Sequence, residues 1–110
     1  MRHRYRKGAN LERRLKKSLE AQGYTVFRVA GSKGPADLVA IKNSQAYLIQ
    51  VKSNRISNRE IKRLDELAAK CGAFPVIAIW DAKQRRWEVE VYGAQHLFVR
   101  GSTENSTVGT

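Results

Sequence analysis

Pro35-Ala-Asp-Leu-Val-Ala-Ile-Lys42, the pair Asn43-Ser44, and Gln45-Ala-Tyr-Leu-Ile-Gln-Val-Lys52 are the stretch that decides the fold. Two apolar segments rich in β-branched residues flank a short polar break, which predicts a β-hairpin over 36–42 and 45–52. Side chains alternate across a strand, so Gln50 and Lys52 share one face while Tyr47, Ile49 and Val51 share the other. Asp37 opens the partner strand on the face of Val39 and Ile41. Simple register about the turn brings Asp37 and the Gln50/Lys52 pair to one end of the sheet. An acid, an amide and an ammonium beside apolar side chains are costly to bury unless they serve a purpose.

Working outward, 110 residues make one domain with a single core, expected over 1–100. A flexible basic arm is expected at 1–7 and a disordered tail at 101–110. No run of 18 apolar residues exists, so no membrane span is expected, and the basic start is not followed by the apolar stretch of a secretory signal. The single cysteine, Cys71, excludes an internal disulfide and fits a reducing, intracellular (cytoplasmic) setting, with a viral source also left open. His3 and His96 are isolated, so no zinc spacing occurs.

Charge is the strongest bulk signal. Twenty-one Lys and Arg against 10 Asp and Glu give +11, which predicts a polyanionic partner, with nucleic acid favoured over an acidic membrane. Residues 1–20 hold eight basic side chains against two acidic ones. Arg4, Arg6 and Lys7 in the arm and Arg13 on the following helix are candidates to track phosphates. Such contacts confer affinity and salt dependence rather than sequence selectivity.

Leu11, Leu15 and Leu19 recur every four residues, predicting a helix from about Ala9 to Gln22 with Asn10 as its cap and Gly23 as its stop. Glu12 borders the apolar stripe, either as a first-turn acid paired with Lys16 or as a site residue. Tyr24 to Val29 reads as a strand, followed by the polar loop Ala30-Gly-Ser-Lys-Gly34. Ser57 and Glu60 form a capping-box pair that starts a helix running to about Lys70, ended by Gly72, with Cys71 expected in the core. Arg55, Arg59, Lys62 and Arg63 cluster at its start. Pro75 to Trp80 reads as a central strand and Arg86 to Tyr92 as an edge strand. The resulting order α-β-β-β-α-β-β is α/β, a mixed sheet flanked by helices.

Pro35-Ala36-Asp37 followed by Gln50-Val51-Lys52 within that order resembles the PD-(D/E)XK nuclease superfamily, which has a restriction-endonuclease-like fold. The closer likeness is to the small archaeal-type Holliday-junction resolvases. It rests on Lys7-Gly8 with Glu12, the loop Gly31-Ser-Lys-Gly34, the Asp37-Leu-Val-Ala40 strand and Lys52-Ser53, and it spans roughly residues 6–92. The resemblance implies Glu12, Asp37, Gln50 and Lys52 as catalytic residues. A Mg²⁺ ion would be held by Glu12, Asp37, Gln50 and the backbone carbonyl of Val51, with Mn²⁺ as a possible substitute. Ser32, Lys33, Ser53, Arg55 and Arg59 would join Arg4, Arg6, Lys7 and Arg13 in holding DNA. Gln50 departs from the family pattern, which has Asp or Glu there, so weaker metal binding is expected.

The expected function is therefore a metal-dependent DNA endonuclease that resolves four-way junctions, a homodimer with no membrane and no small-molecule cofactor. Phe74, Trp80, Trp87 and Phe98 are candidate interface residues. Another nuclease of the superfamily (repair, restriction-like or end-processing) and a non-catalytic nucleic-acid-binding protein are the alternatives.

Overall fold

The structure, a computed structural model, describes the backbone of residues 2–30 and 34–91 and the side chains of 10–30 and 34–90. Its elements are α1 (Arg2–Ala21), β1 (Thr25–Arg28), β2 (Leu38–Lys42), β3 (Gln45–Lys52), α2 (Asn58–Cys71), β4 (Phe74–Asp81) and β5 (Arg86–Val91). The five strands form one sheet in the order β1-β2-β3-β4-β5, antiparallel throughout except for β3 and β4. The parallel pair is bridged by α2, as a crossover connection requires. Order and class match the expectation from the sequence.

The hairpin forms as read. Leu38 faces Ile49 and Lys42 faces Gln45 across a two-residue turn, with φ of 54° at Asn43 and 66° at Ser44. Positive φ at both central residues is what a tight turn between right-twisted strands demands. The register then shifts at Asp37, whose N–H donates to the Ile49 carbonyl at 2.7 Å rather than facing Gln50. The simple register expected for this residue is thus corrected by one position.

Alternation distributes the side chains over two layers. Leu11, Leu15 and Leu19 of α1 pack on Val26, Leu38, Ala40, Ile49, Val76, Ala78 and Val89. On the opposite face Leu64 and Ala68 of α2 pack on Ala36, Leu48 and Ile77. Leu15, Leu19, Leu64 and Ile49 are essentially inaccessible to water, and each stabilises the fold by about 1.5–3 kcal/mol. Both helices end at a glycine with positive φ: Tyr24 N–H reaches the Leu19 carbonyl past Gly23, and Ala73 N–H reaches the Ala68 carbonyl past Gly72. These are Schellman terminations, which need the left-handed residue glycine supplies at low cost.

Three expectations are corrected. Helix α1 begins at Arg2, so it takes in the segment expected as an arm, and Asn10 lies within it as an exposed residue accepting from Arg13 at 3.0 Å. Cys71 is exposed, because it is the last residue of α2 and the face it shares with Leu64 and Ala68 opens to water there. Trp87 is core, 4 % exposed, and unavailable as an interface residue. Trp80 stacks edge-on against it at 5.2 Å and carries the Arg14 guanidinium 4.7 Å from its ring. Tyr92, Phe98 and the tail 101–110 lie outside the described residues. Among those described, no helix is long and apolar enough to cross a membrane.

Helix α2 covers β3 and β4. The same face of β1 and β2 presents the apolar side chains of Phe27 (55 % exposed), Val29 (37 %) and Ile41 (38 %), with Val39 half-buried beside them.

Candidate active site

The end of β3, the residue before β2 and the middle of α1 enclose a hollow of about 260 Å³ lined by Leu11, Glu12, Asp37, Val51, Lys52, Ser53 and Asn54. Each element contributes for a local reason. The Leu11/Leu15/Leu19 stripe seats α1 on the sheet and carries Glu12 to the rim. The register shift at Asp37 lets its Oδ2 accept the Val51 N–H at 2.8 Å, capping the last part of β3. Strand β3 ends by presenting Lys52 and Ser53.

Burial pushes the Asp37 carboxyl above its ordinary value, the Val51 N–H pulls it back, the Glu12 charge adds to the rise and Lys52 opposes it. An acid so placed is poised for a cation, whose charge would replace the missing solvation. Glu12 is not paired with Lys16, which instead meets Glu20 at 2.8 Å. Arg28 holds Glu12 by two donors, Nε at 3.3 Å and Nη2 at 3.1 Å. Lys52 donates to Glu60 Oε2 at 3.1 Å. The Glu60 carboxyl lies below its ordinary value, chiefly through the Ser57 N–H and then through Lys52.

Of the residues expected at the site, the structure brings Glu12, Asp37, Val51, Lys52 and Ser53 together. Gln50 does not line the hollow, yet its Oε1 is buried with no hydrogen-bond partner among the described residues. An orphaned buried acceptor costs about 1–3 kcal/mol and is the kind of atom a bound cation satisfies. Among the described residues no three His, Cys, Asp or Glu side chains converge. The candidate oxygen donors in the hollow are two carboxylates, Glu12 and Asp37, with the Val51 backbone beside them, while Gln50 is not among the lining residues. Hard oxygen donors of this kind fit Mg²⁺ or Mn²⁺, with several positions left for water.

Arg13, Arg55 and Arg59 are exposed, as are Lys62 and Arg63. The side chains of Arg4, Arg6 and Lys7, and Ser32 and Lys33 altogether, lie outside the described residues. Sequence reading missed Arg28 as the partner of Glu12 and Glu60 as the partner of Lys52. Arg28 alternates with Val26 and so faces α1, a signal that points to Glu12 only once the helix is docked.

Comparison with known proteins adds three findings. A profile of the archaeal Holliday junction resolvase (Hjc) family matches residues 3–104. The crossover junction endodeoxyribonuclease Hjc of Methanocaldococcus jannaschii is 38 % identical over 84 residues, covering 72 % of this chain and 62 % of that protein. The chain therefore spans less than two thirds of that relative's length. The 1.6 Å structure of Archaeoglobus fulgidus Hjc, a Holliday junction resolvase from an archaeal hyperthermophile, superimposes with a TM-score of 0.66 at 28 % identity, covering 76 % of this chain and 70 % of that one.

Proposed function

The chain belongs to the archaeal Holliday junction resolvase family, and from that premise we propose that it is a metal-dependent endodeoxyribonuclease making paired, symmetric nicks in four-way DNA junctions. The observation that carries the proposal is the convergence of Glu12, Asp37 and Lys52 in one hollow, beside the exposed basic side chains at the start of α2.

Asp37 would be the principal ligand for Mg²⁺, Glu12 would complete the site directly or through water, and the Val51 carbonyl and the Gln50 amide oxygen would supply the remaining protein donors. The bound cation would polarise the scissile phosphate and lower the pKa of an attacking water. Lys52, at the rim, orients that water or stabilises charge developing on the phosphate. Ser53, Arg13, Arg55 and Arg59 hold the DNA backbone. With an amide in place of a carboxylate at Gln50, the site carries one negative charge fewer than the family pattern. Mn²⁺, which binds such donors more tightly, then acts better than Mg²⁺.

Paired nicks need two such sites, and a two-fold dimer supplies them in the symmetry of the junction. The uncovered strip of Phe27, Val29 and Ile41 supports self-association through the β1–β2 half of the sheet.

The test is cleavage of an end-labelled synthetic four-way junction with Mg²⁺, Mn²⁺ or EDTA, using the wild type and Asp37→Asn. Metal-dependent symmetric nicking that disappears in the variant, with junction binding intact, is the expected result. Equal cleavage of duplex, flap and junction would keep a nuclease but discard the resolvase. Tight binding without cleavage under any metal would leave a non-catalytic DNA-binding protein.

A further inference from the structure

Lys52 closes β3, and Glu60 stands in the first turn of α2. The Glu60 carboxylate is divided between two tasks. Its Oε1 accepts the Ser57 N–H at 3.0 Å and the Ser57 hydroxyl at 3.2 Å, while the Glu60 N–H donates to the Ser57 hydroxyl at 3.1 Å. This is a complete capping box, and it fixes the carboxylate in space. Its Oε2 is thereby aimed at the strand end, where it accepts from Lys52 Nζ at 3.1 Å.

The two side chains are 24 % and 34 % exposed, and ion pairs that open to water add little to stability. What the contact does supply is direction. A lysine has a flexible four-carbon stem, and a strand-end lysine without a partner samples many rotamers. Lys52 lines the hollow with Asp37 and interacts electrostatically with it, so the rotamer that Glu60 selects keeps the ammonium at the rim of the site.

We propose that Glu60 is a positioning residue for phosphodiester cleavage: one oxygen caps α2, and the other holds the Lys52 ammonium in place at the hollow. The proposal rests on the nuclease reading given above. It makes the start of α2, where Arg55, Arg59, Lys62 and Arg63 gather, structurally continuous with the cleavage site.

Two substitutions separate positioning from capping. Glutamine serves at this position of a capping box, so Glu60→Gln keeps the helix start but turns an amide N–H₂ toward an ammonium that cannot accept a hydrogen bond. Ser57→Ala removes the hydroxyl cap yet leaves the backbone N–H and the Glu60–Lys52 contact. With saturating metal and junction, Glu60→Gln is expected to lower the single-turnover cleavage rate roughly 10- to 100-fold with unchanged junction affinity. Ser57→Ala is expected to lower Tm and cleave near the wild-type rate. Independently of cleavage, ¹³C relaxation of the Lys52 ε-methylene should show a side chain that is ordered in the wild type and in Ser57→Ala but mobile in Glu60→Gln. Wild-type cleavage by Glu60→Gln, equal loss in both variants, or an unchanged Lys52 methylene would each overturn the proposal. A wild type that cleaves nothing would instead sink the nuclease reading, and the relaxation measurement would still decide the contact.

Discussion

Arg28 directs two donors, Nε and Nη2, to a single oxygen, Oε1 of Glu12, across 16 residues of sequence. The contact leaves the second carboxylate oxygen of Glu12 outside this pair, so the acid can be held and still act as a ligand. Partly exposed pairs of this kind contribute up to about 1 kcal/mol to stability. Arg28→Ala should therefore melt close to the wild type while losing about tenfold in cleavage rate, as Glu12 loses its fixed orientation. A large fall in Tm with unaltered cleavage of the folded protein would refute this role.

The pH dependence of Asp37 follows from its raised carboxyl. The native state holds the Asp37 proton more tightly than the unfolded chain does, so this group favours folding below its unfolded value, and the contribution is lost as pH rises through the folded one. At neutral pH without divalent cation the ionised group is a net cost. Asp37→Asn, whose amide oxygen can still accept the Val51 N–H, should then melt above the wild type at pH 7. The gap should close as pH falls below about 4. Adding Mn²⁺ should raise the wild-type Tm and leave the variant unmoved, since a ligand stabilises only the state that binds it. A variant that melts below the wild type at pH 7 in EDTA contradicts the account.

Gln50 offers the converse experiment. Gln50→Glu adds a carboxylate where the buried amide oxygen has no partner among the described residues. Without metal the variant should be less stable, because a buried charge lacks a counter-charge. With Mg²⁺ it should recover, and its half-saturating Mg²⁺ concentration for cleavage should fall by roughly tenfold. Isothermal titration and cleavage at graded Mg²⁺ measure both effects, and unchanged metal affinity would remove Gln50 from the ligand set.

Phe27 tests the dimer. Its side chain is 55 % exposed, so Phe27→Asp forfeits little core packing. The variant should sediment as a monomer at micromolar concentration, fold with wild-type circular dichroism, and nick junctions singly rather than in pairs. A dimer that persists would move the interface elsewhere.

Much of this was legible in the sequence, and the reasons differ by element. The capping box of Ser57 and Glu60, the stop at Gly72 and the alternation of Trp87 and Val89 are local patterns, and all formed as read. The two-residue turn fixed the pairing of Leu38 with Ile49. The shift at Asp37 was not legible, because the turn sets the pairing only as far as Leu38, and Asp37 lies just outside the strand. Helix α1 starts earlier than its apolar stripe, whose first member, Leu11, is all that periodicity can see. Cys71 falls on the buried face by angle alone, and angle does not tell where a helix outruns its cover. Glu12 and Lys52 were both identified, but their partners Arg28 and Glu60 were not. Partner choice belongs to the docking of α1 and α2 on the sheet, not to spacing along the chain.

The Asn43–Ser44 turn also limits how this gene can change in length. Both positions can exchange for any pair that accepts positive φ, and Ser44→Gly would ease the backbone. An added codon is another matter. Unless the extra residue is expelled as a bulge, it slides β3 past β2 by one step, turns Leu48 and Ile49 to the wrong layers, and carries Lys52 away from Asp37. At the hairpin tip, then, a substitution is cheap, while a change of length is tolerated only where a bulge absorbs it.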